Sequence, residues 1–169
     1  LGEPSDAPAI LFAGEDGRRR TWSRADLHAE VSRVAQALAA AGVGPGDRVA
    51  AWMANVPEAY ALMIAAASLG AVYTSTSPDF GVDGVVDRLG QVRPSVLVSV
   101  DGYHYGGKRF DTLARLAEIR DRLPSVTTTV VLGFVDDEPD LSGVPGAWTW
   151  TEWLAPYAAA PVVTTPLPF

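Results

Sequence analysis

Residues Tyr73 to Phe110 read YTSTSPDFGVDGVVDRLGQVRPSVLVSVDGYHYGGKRF. A Ser-Thr-rich strand end, a Ser-Pro-Asp turn, an amphipathic helix, an apolar strand and an aromatic Gly-Gly-Lys-Arg loop follow one another. Val82, Val85, Val86 and Leu89 recur at helical spacing, whereas Val96 to Val100 is apolar but for Ser99, as in a strand buried on both faces. Two strands joined through such a helix form a parallel unit. This order places the Ser-Pro-Asp turn and the Gly-Gly loop at the ends of parallel strands, where open α/β sheets bind ligands.

The same alternation extends in both directions. Upstream, Ser23-Arg24-Ala25-Asp26 starts a helix whose apolar residues are Leu27, Val31, Val34 and Leu38, and Gly42 stops it. Arg48 to Met53 reads as a buried strand. A second helix runs from about Val56 to Leu69, capped by Asn55 and stopped by Gly70. Ala71 to Thr76 is the next strand. Downstream, Asp111 to Leu123 reads as a helix closed by Pro124, and Thr127 to Phe134 as a β-branched strand. The fold class expected is α/β: a doubly wound, mostly parallel sheet with helices on both faces, over residues 1–135. Residues 136–169 read as a linker, a Trp-rich docking segment carrying Trp148, Trp150 and Trp153, and a Pro-containing tail.

Composition narrows the function. The 169 residues are 48% apolar and 20% charged, enough for one packed domain. A net charge of -7 argues against nucleic acid or an anionic membrane as partner. With no cysteine, disulfides, thiolate catalysis and cysteine-bound zinc are excluded. The apolar run from Ala59 to Val72 falls short of the roughly 20 residues that span a bilayer. No signal peptide is visible, and the start at Leu1 suggests a piece of something longer.

Two loops carry candidate chemistry. In Ser77-Pro78-Asp79, Ser77 can cap a helix turn with Pro78 at its first position, leaving free amides for a phosphate; a plain capped helix start is the competing reading. In Tyr105-Gly106-Gly107-Lys108-Arg109, the glycines allow close approach to the backbone and the two cations suit a phosphate. Tyr103 and Tyr105 offer faces on which a base can stack. A Gly-Gly hairpin with solvated charges remains equally open. Arg18-Arg19-Arg20 reads as a solvated hairpin arm, and Trp52 as a buried strand residue. Esterase, Rossmann and P-loop motifs are missing, and two histidines, His28 and His104, make a poor metal case.

The runs AAGVGPGDRVA (40–50), NVPE (55–58) and AAASLGA (65–71) resemble the N-terminal part of adenylate-forming acyl-CoA synthetases. SPDFGV (77–82), Asp87-Arg88 and the Val100-Asp101-Gly102-Tyr103 run with Tyr105, Gly107 and Lys108 are similar to the acetoacetate–CoA ligase branch. The resemblance implies a cytoplasmic two-step ligase: acetoacetate and ATP, with Mg2+, give an acyl-adenylate and pyrophosphate, and the CoA thiol then displaces AMP. It implies CoA contacts at Ser77, Pro78, Asp79, Tyr105, Gly106, Gly107, Lys108 and Arg109, with Lys108 on a phosphate. Tyr105 stands where acetyl-specific relatives carry Arg. The family's phosphate-gripping loop, which begins just beyond the position of Pro168-Phe169, and its catalytic lysine are not in the sequence. No catalytic or metal residue is therefore expected, and the rest of the same polypeptide is the implied partner. Another short-chain synthetase, for acetate or propionate, and a non-catalytic CoA- or nucleotide-binding module are the alternatives.

Overall fold

Strand β1 (Pro8–Ala13) turns back on β2 (Arg19–Ser23) as an antiparallel hairpin, and helix α1 (Arg24–Ala40) follows directly. The computed structural model, which describes residues 2–164, then alternates β3 (Arg48–Trp52), α2 (Pro57–Ser68), β4 (Val72–Thr76), α3 (Val82–Val92) and β5 (Val96–Val100). A second hairpin, β6 (Gly102–Tyr105) and β7 (Lys108–Asp111), leads into α4 (Leu113–Asp121) and β8 (Thr128–Leu132). A 3-10 turn at Leu141–Gly143 precedes β9 (Trp148–Thr149) and α5 (Trp150–Leu154). Pro168 and Phe169, which the sequence places before the family's phosphate loop, lie outside the described residues.

The sheet has the order β4-β3-β5-β8-β9, and each neighbouring pair is parallel. Successive side chains of a strand point to opposite faces, so each central strand feeds two cores. Val49, Ala51, Val96 and Val98 pack with Val31, Val34 and Leu38 of α1 and with Leu62 of α2. Ala50, Trp52, Leu97 and Val131 pack with Val85 and Leu89 of α3 and with Leu116 and Ile119 of α4. The doubly wound α/β arrangement expected from the continuous apolar runs is present. Trp150 and Trp153 are buried against the first core, and the Trp150 indole donates to Glu30 Oε1 at 2.7 Å.

Capping boxes start α1 and α5. Ser23 Oγ accepts from the Asp26 amide at 3.0 Å while Asp26 Oδ2 accepts from the Ser23 amide at 2.9 Å; Thr149 and Glu152 repeat the arrangement. The bond from the Ser23 backbone, then that from its side chain, hold the Asp26 carboxyl below its ordinary 3.8. The Thr149 side chain, then its backbone, hold Glu152 below 4.5. A carboxyl lowered on folding stabilises fully above its unfolded value, and that stability is lost as pH falls through the folded one. The urea-midpoint gap between the wild type and a Ser23→Ala, Thr149→Ala double variant should therefore shrink between about pH 6 and about pH 3. A gap constant over that range would remove the charged caps from the account.

The starts of α2 and α4 and the role of Ser77 differ from the sequence reading. Helix α2 is capped by Val56, not Asn55, because the chain stays extended through Val56 and Pro57 takes the first turn. Helix α3 starts after Gly81, so Ser77 caps nothing; its carbonyl accepts from the Phe80 amide at 3.2 Å in a separate turn. Asp111 pairs with Gly102 in β7, which delays α4 to Leu113. Inside α3, a Cβ added at Gly84 would have Phe80 Cδ1 at 3.5 Å as its nearest neighbour, an ordinary contact. Gly84→Ala should stabilise the chain by about 0.5–1 kcal/mol in urea titration, since only the backbone entropy of glycine is removed. A loss instead would mean that α3 needs that glycine for its packing.

Candidate functional site

The strand order turns around at β3. From β3 the chain goes through α2, on one face, to β4; from β4 it goes through α3, on the other face, to β5. The carboxyl ends of β3, β4, β5 and β8 lie along one edge, the position at which open sheets carry ligands. The residues leaving them are Met53-Ala54-Asn55, Ser77, Asp101 and Gly133.

Asp101 organises this edge. It is 3% exposed, and its carboxylate accepts from the amides of Phe134 at 2.7 Å, Val135 at 2.9 Å and Asp136 at 2.7 Å. A carboxylate can be buried this way because backbone donors replace its water. The staple ties the end of β5 to the loop after β8. Thr112, also buried, donates its hydroxyl to the Val100 carbonyl and closes the base of the second hairpin. Gly102 is enforced by space: a Cβ there would stand 2.6 Å from the Phe110 carbonyl oxygen and 2.9 Å from Val135 Cγ2.

The hairpin so anchored carries five of the eight candidate residues. Tyr105 pairs with Lys108 across a two-residue turn in which Gly106 has φ 58° and Gly107 has φ 73°. Both values lie in the left-handed region that glycine enters without strain, the geometry of a tight Gly-Gly hairpin. Tyr105 is 67% exposed, with its ring free for stacking, whereas Tyr103 is stacked on Phe110 with centroids 5.1 Å apart. Lys108 projects into solvent. Arg109 forks onto Asp136, with Nη1 to Oδ1 at 3.3 Å, and this hydrogen bond raises its pKa above the ordinary value. The tip is thus a hairpin and a cation-bearing loop at once.

Ser77, Pro78 and Asp79 form the other candidate group. Ser77 and Asp79 are exposed and Pro78 is buried. They leave β4, two strand positions from β5, so the strand ends are separated by about 10 Å with β3 between them. The two groups share an edge of the sheet without forming one cluster. A cavity of about 290 Å³ opens beside Ser77, lined by Met53, Asn55, Tyr60, Tyr73 and Thr76.

The first hairpin bears on this edge, which the sequence did not disclose. Phe12 meets Phe134 edge-on at 6.1 Å, and Arg18 lies over the Phe134 ring at 5.4 Å. Arg20 forms a bidentate pair with buried Glu58 at 2.6 and 2.9 Å, so the arginine run is not simply solvated. In the turn between β1 and β2, Glu15 Oε2 accepts from the Gly106 amide at 2.9 Å. Glu15 and Asp136 belong to the site by contact, and neither stands in a motif. Trp52 is fully buried under Arg115 and does not reach the edge. Among the described residues no three His, Cys, Asp or Glu side chains are placed to hold a metal ion. No described helix is long and apolar enough to cross a membrane.

Comparison with known proteins bears on the family and the fold. The chain is 43% identical over 172 residues to the acetoacetyl-coenzyme A synthetase of Rhizobium meliloti (strain 1021), covering 100% of the chain and 26% of that protein. It is 38% identical to the acetoacetyl-CoA synthetase of Xenopus tropicalis, over 86% of the chain and 22% of that protein. The solved acetoacetyl-CoA synthetase from Streptomyces lividans superposes with a TM-score of 0.86 at 38% identity, covering 96% of the chain and 24% of that structure. The chain therefore spans about a quarter of the length of these relatives. The model of the AMP-binding enzymes matches residues 2–162. With a parallel sheet of this order, and a match that runs nearly end to end, the chain belongs to the AMP-binding enzyme family.

Proposed function

We propose that the chain is the N-terminal portion of an acetoacetate–CoA ligase and supplies part of its CoA entrance. The complete enzyme joins acetoacetate to ATP, forming an acyl-adenylate and releasing pyrophosphate. The CoA thiol then attacks the acyl carbon, and AMP leaves as acetoacetyl-CoA forms. One observation carries the placement of CoA: the Gly106-Gly107 turn presents exposed Lys108 at the ligand edge, in a chain 43% identical to a protein named for this chemistry. Lys108 and Arg109 face a CoA phosphate, the glycine backbone gives it clearance, and Tyr105 offers a stacking face. The Ser77-Pro78-Asp79 turn lines the opposite side. The phosphate-gripping loop and catalytic lysine that the resemblance implies are not in this stretch, so the bond-making steps belong to other parts of the polypeptide and the isolated chain catalyses neither.

In the full-length ligase, Lys108→Ala should raise KM for CoA about tenfold, the worth of one charge-assisted contact. KM for ATP serves as the internal reference. An unchanged KM for CoA would take Lys108 out of the site. Acetoacetate-dependent ATP–pyrophosphate exchange tests the acid: faster exchange with acetate or propionate would transfer the chain to another short-chain synthetase.

A further inference from the structure

The donors that a phosphate would need at the hairpin tip are engaged by carboxylates of the chain itself. The Gly106 amide donates to Glu15, which comes from a turn 91 residues earlier. The Arg109 guanidinium is forked onto Asp136. Neither acid is placed casually. Glu15 sits in the tight turn of the first hairpin, where the Gly14 amide donates to the Arg18 carbonyl at 2.8 Å; that hairpin is pinned by the Arg20–Glu58 pair. Asp136 is held by its own amide, which donates to the buried Asp101 carboxylate at 2.7 Å. Two anchored segments thus present one carboxylate each to one tip.

We infer that Glu15 and Asp136 compete internally for the donors of the CoA site, and that a phosphate monoester of the ligand displaces them. This rests on the placement of CoA proposed above. Each carboxylate carries one negative charge. A phosphate monoester carries about -1.5 to -2 near neutral pH and three acceptor oxygens, so it offers the donors of the tip more than one carboxylate does. A phosphodiester, with a single charge, gains little over the carboxylate that it would replace. The internal acids therefore lower affinity for a ligand that binds through its monoester, and they leave a ligand that lacks the monoester unaffected. Exposure keeps each carboxylate contact weak enough to exchange.

The test is steady-state kinetics of the full-length ligase with CoA and with dephospho-CoA, which lacks the monoester. Glu15→Ala should lower KM for CoA about threefold, since an exposed charged contact is removed from competition. KM for dephospho-CoA and for ATP should not follow. Asp136→Asn should give a second decrease for CoA by releasing Arg109. Glu15→Gln, which keeps an acceptor for Gly106 but no charge, should fall between wild type and Glu15→Ala. The inference is overturned if Glu15→Ala leaves KM for CoA unchanged or raises it, or if dephospho-CoA gains equally. Lys108→Ala separates the two levels. If it raises KM for CoA while Glu15→Ala does nothing, CoA stays where it is placed and the competition is discarded; if neither variant moves it, the placement goes as well.

Discussion

Asp101→Ala should destabilise the chain by about 4 kcal/mol. The carboxylate accepts from three amides within 2.9 Å, and the residue is 3% exposed, so its removal leaves donors that water reaches poorly. Each hydrogen bond to a charged acceptor is worth about 1.5–3 kcal/mol, and relaxation of the loop after β8 returns part of the sum. Asp101→Asn isolates one bond. Its remaining oxygen can serve Phe134 and Val135, but its amide group would face the Asp136 amide, for a loss of about 2 kcal/mol. Urea titration followed by the fluorescence of the five tryptophans reads both. A loss below about 1 kcal/mol for Asp101→Ala would show that the staple is not a stabilising element.

The Arg20–Glu58 pair should respond asymmetrically. Arg20→Ala strands Glu58, whose side chain is 7% exposed, and should cost about 3 kcal/mol. Glu58→Ala leaves Arg20 34% exposed and lying over the Phe12 ring at 5.1 Å, so its guanidinium can turn to water at a cost of about 1 kcal/mol. The difference reports which partner is desolvated; two equal losses in urea titration would contradict the burial of Glu58. Because Arg20 lies in β2 and Glu58 in the first turn of α2, Arg20→Ala should also free the first hairpin, and with it the Glu15 contact to Gly106.

What could be read from the sequence was what depends on neighbours in the chain. Val96 to Val100 and Val49 to Trp52 announce buried parallel strands because, Ser99 apart, they are apolar without alternation, and Ser23 with Asp26 announces a helix start because both partners lie within one turn. The glycines at 106 and 107 were legible as a tight turn or a ligand loop, and residue types alone do not choose between them. Asn55 and Ser77 have the chemistry of caps, but the helices begin beyond them, and pairing with Gly102 draws Asp111 into β7 instead of α4. Strand β1 passed unread, and with it Glu15, because its contact with Gly106 spans 91 residues and no local pattern encodes it. Asp101 stands in the family-like run, but its partners lie 33 to 35 residues downstream.

The indole of Trp150 reaches Glu30 across 120 residues, and β9 completes the sheet on β8. During synthesis α1 leaves the ribosome carrying a carboxylate whose buried partner does not yet exist. The outer side of β8 likewise stays open until residues 148 and 149 have emerged. Order of manufacture and order of closure therefore run oppositely here: the first long helix made is among the last to be sealed, and the interval between them is a window in which the nascent unit has a bare strand and a carboxylate with only Arg33 beside it.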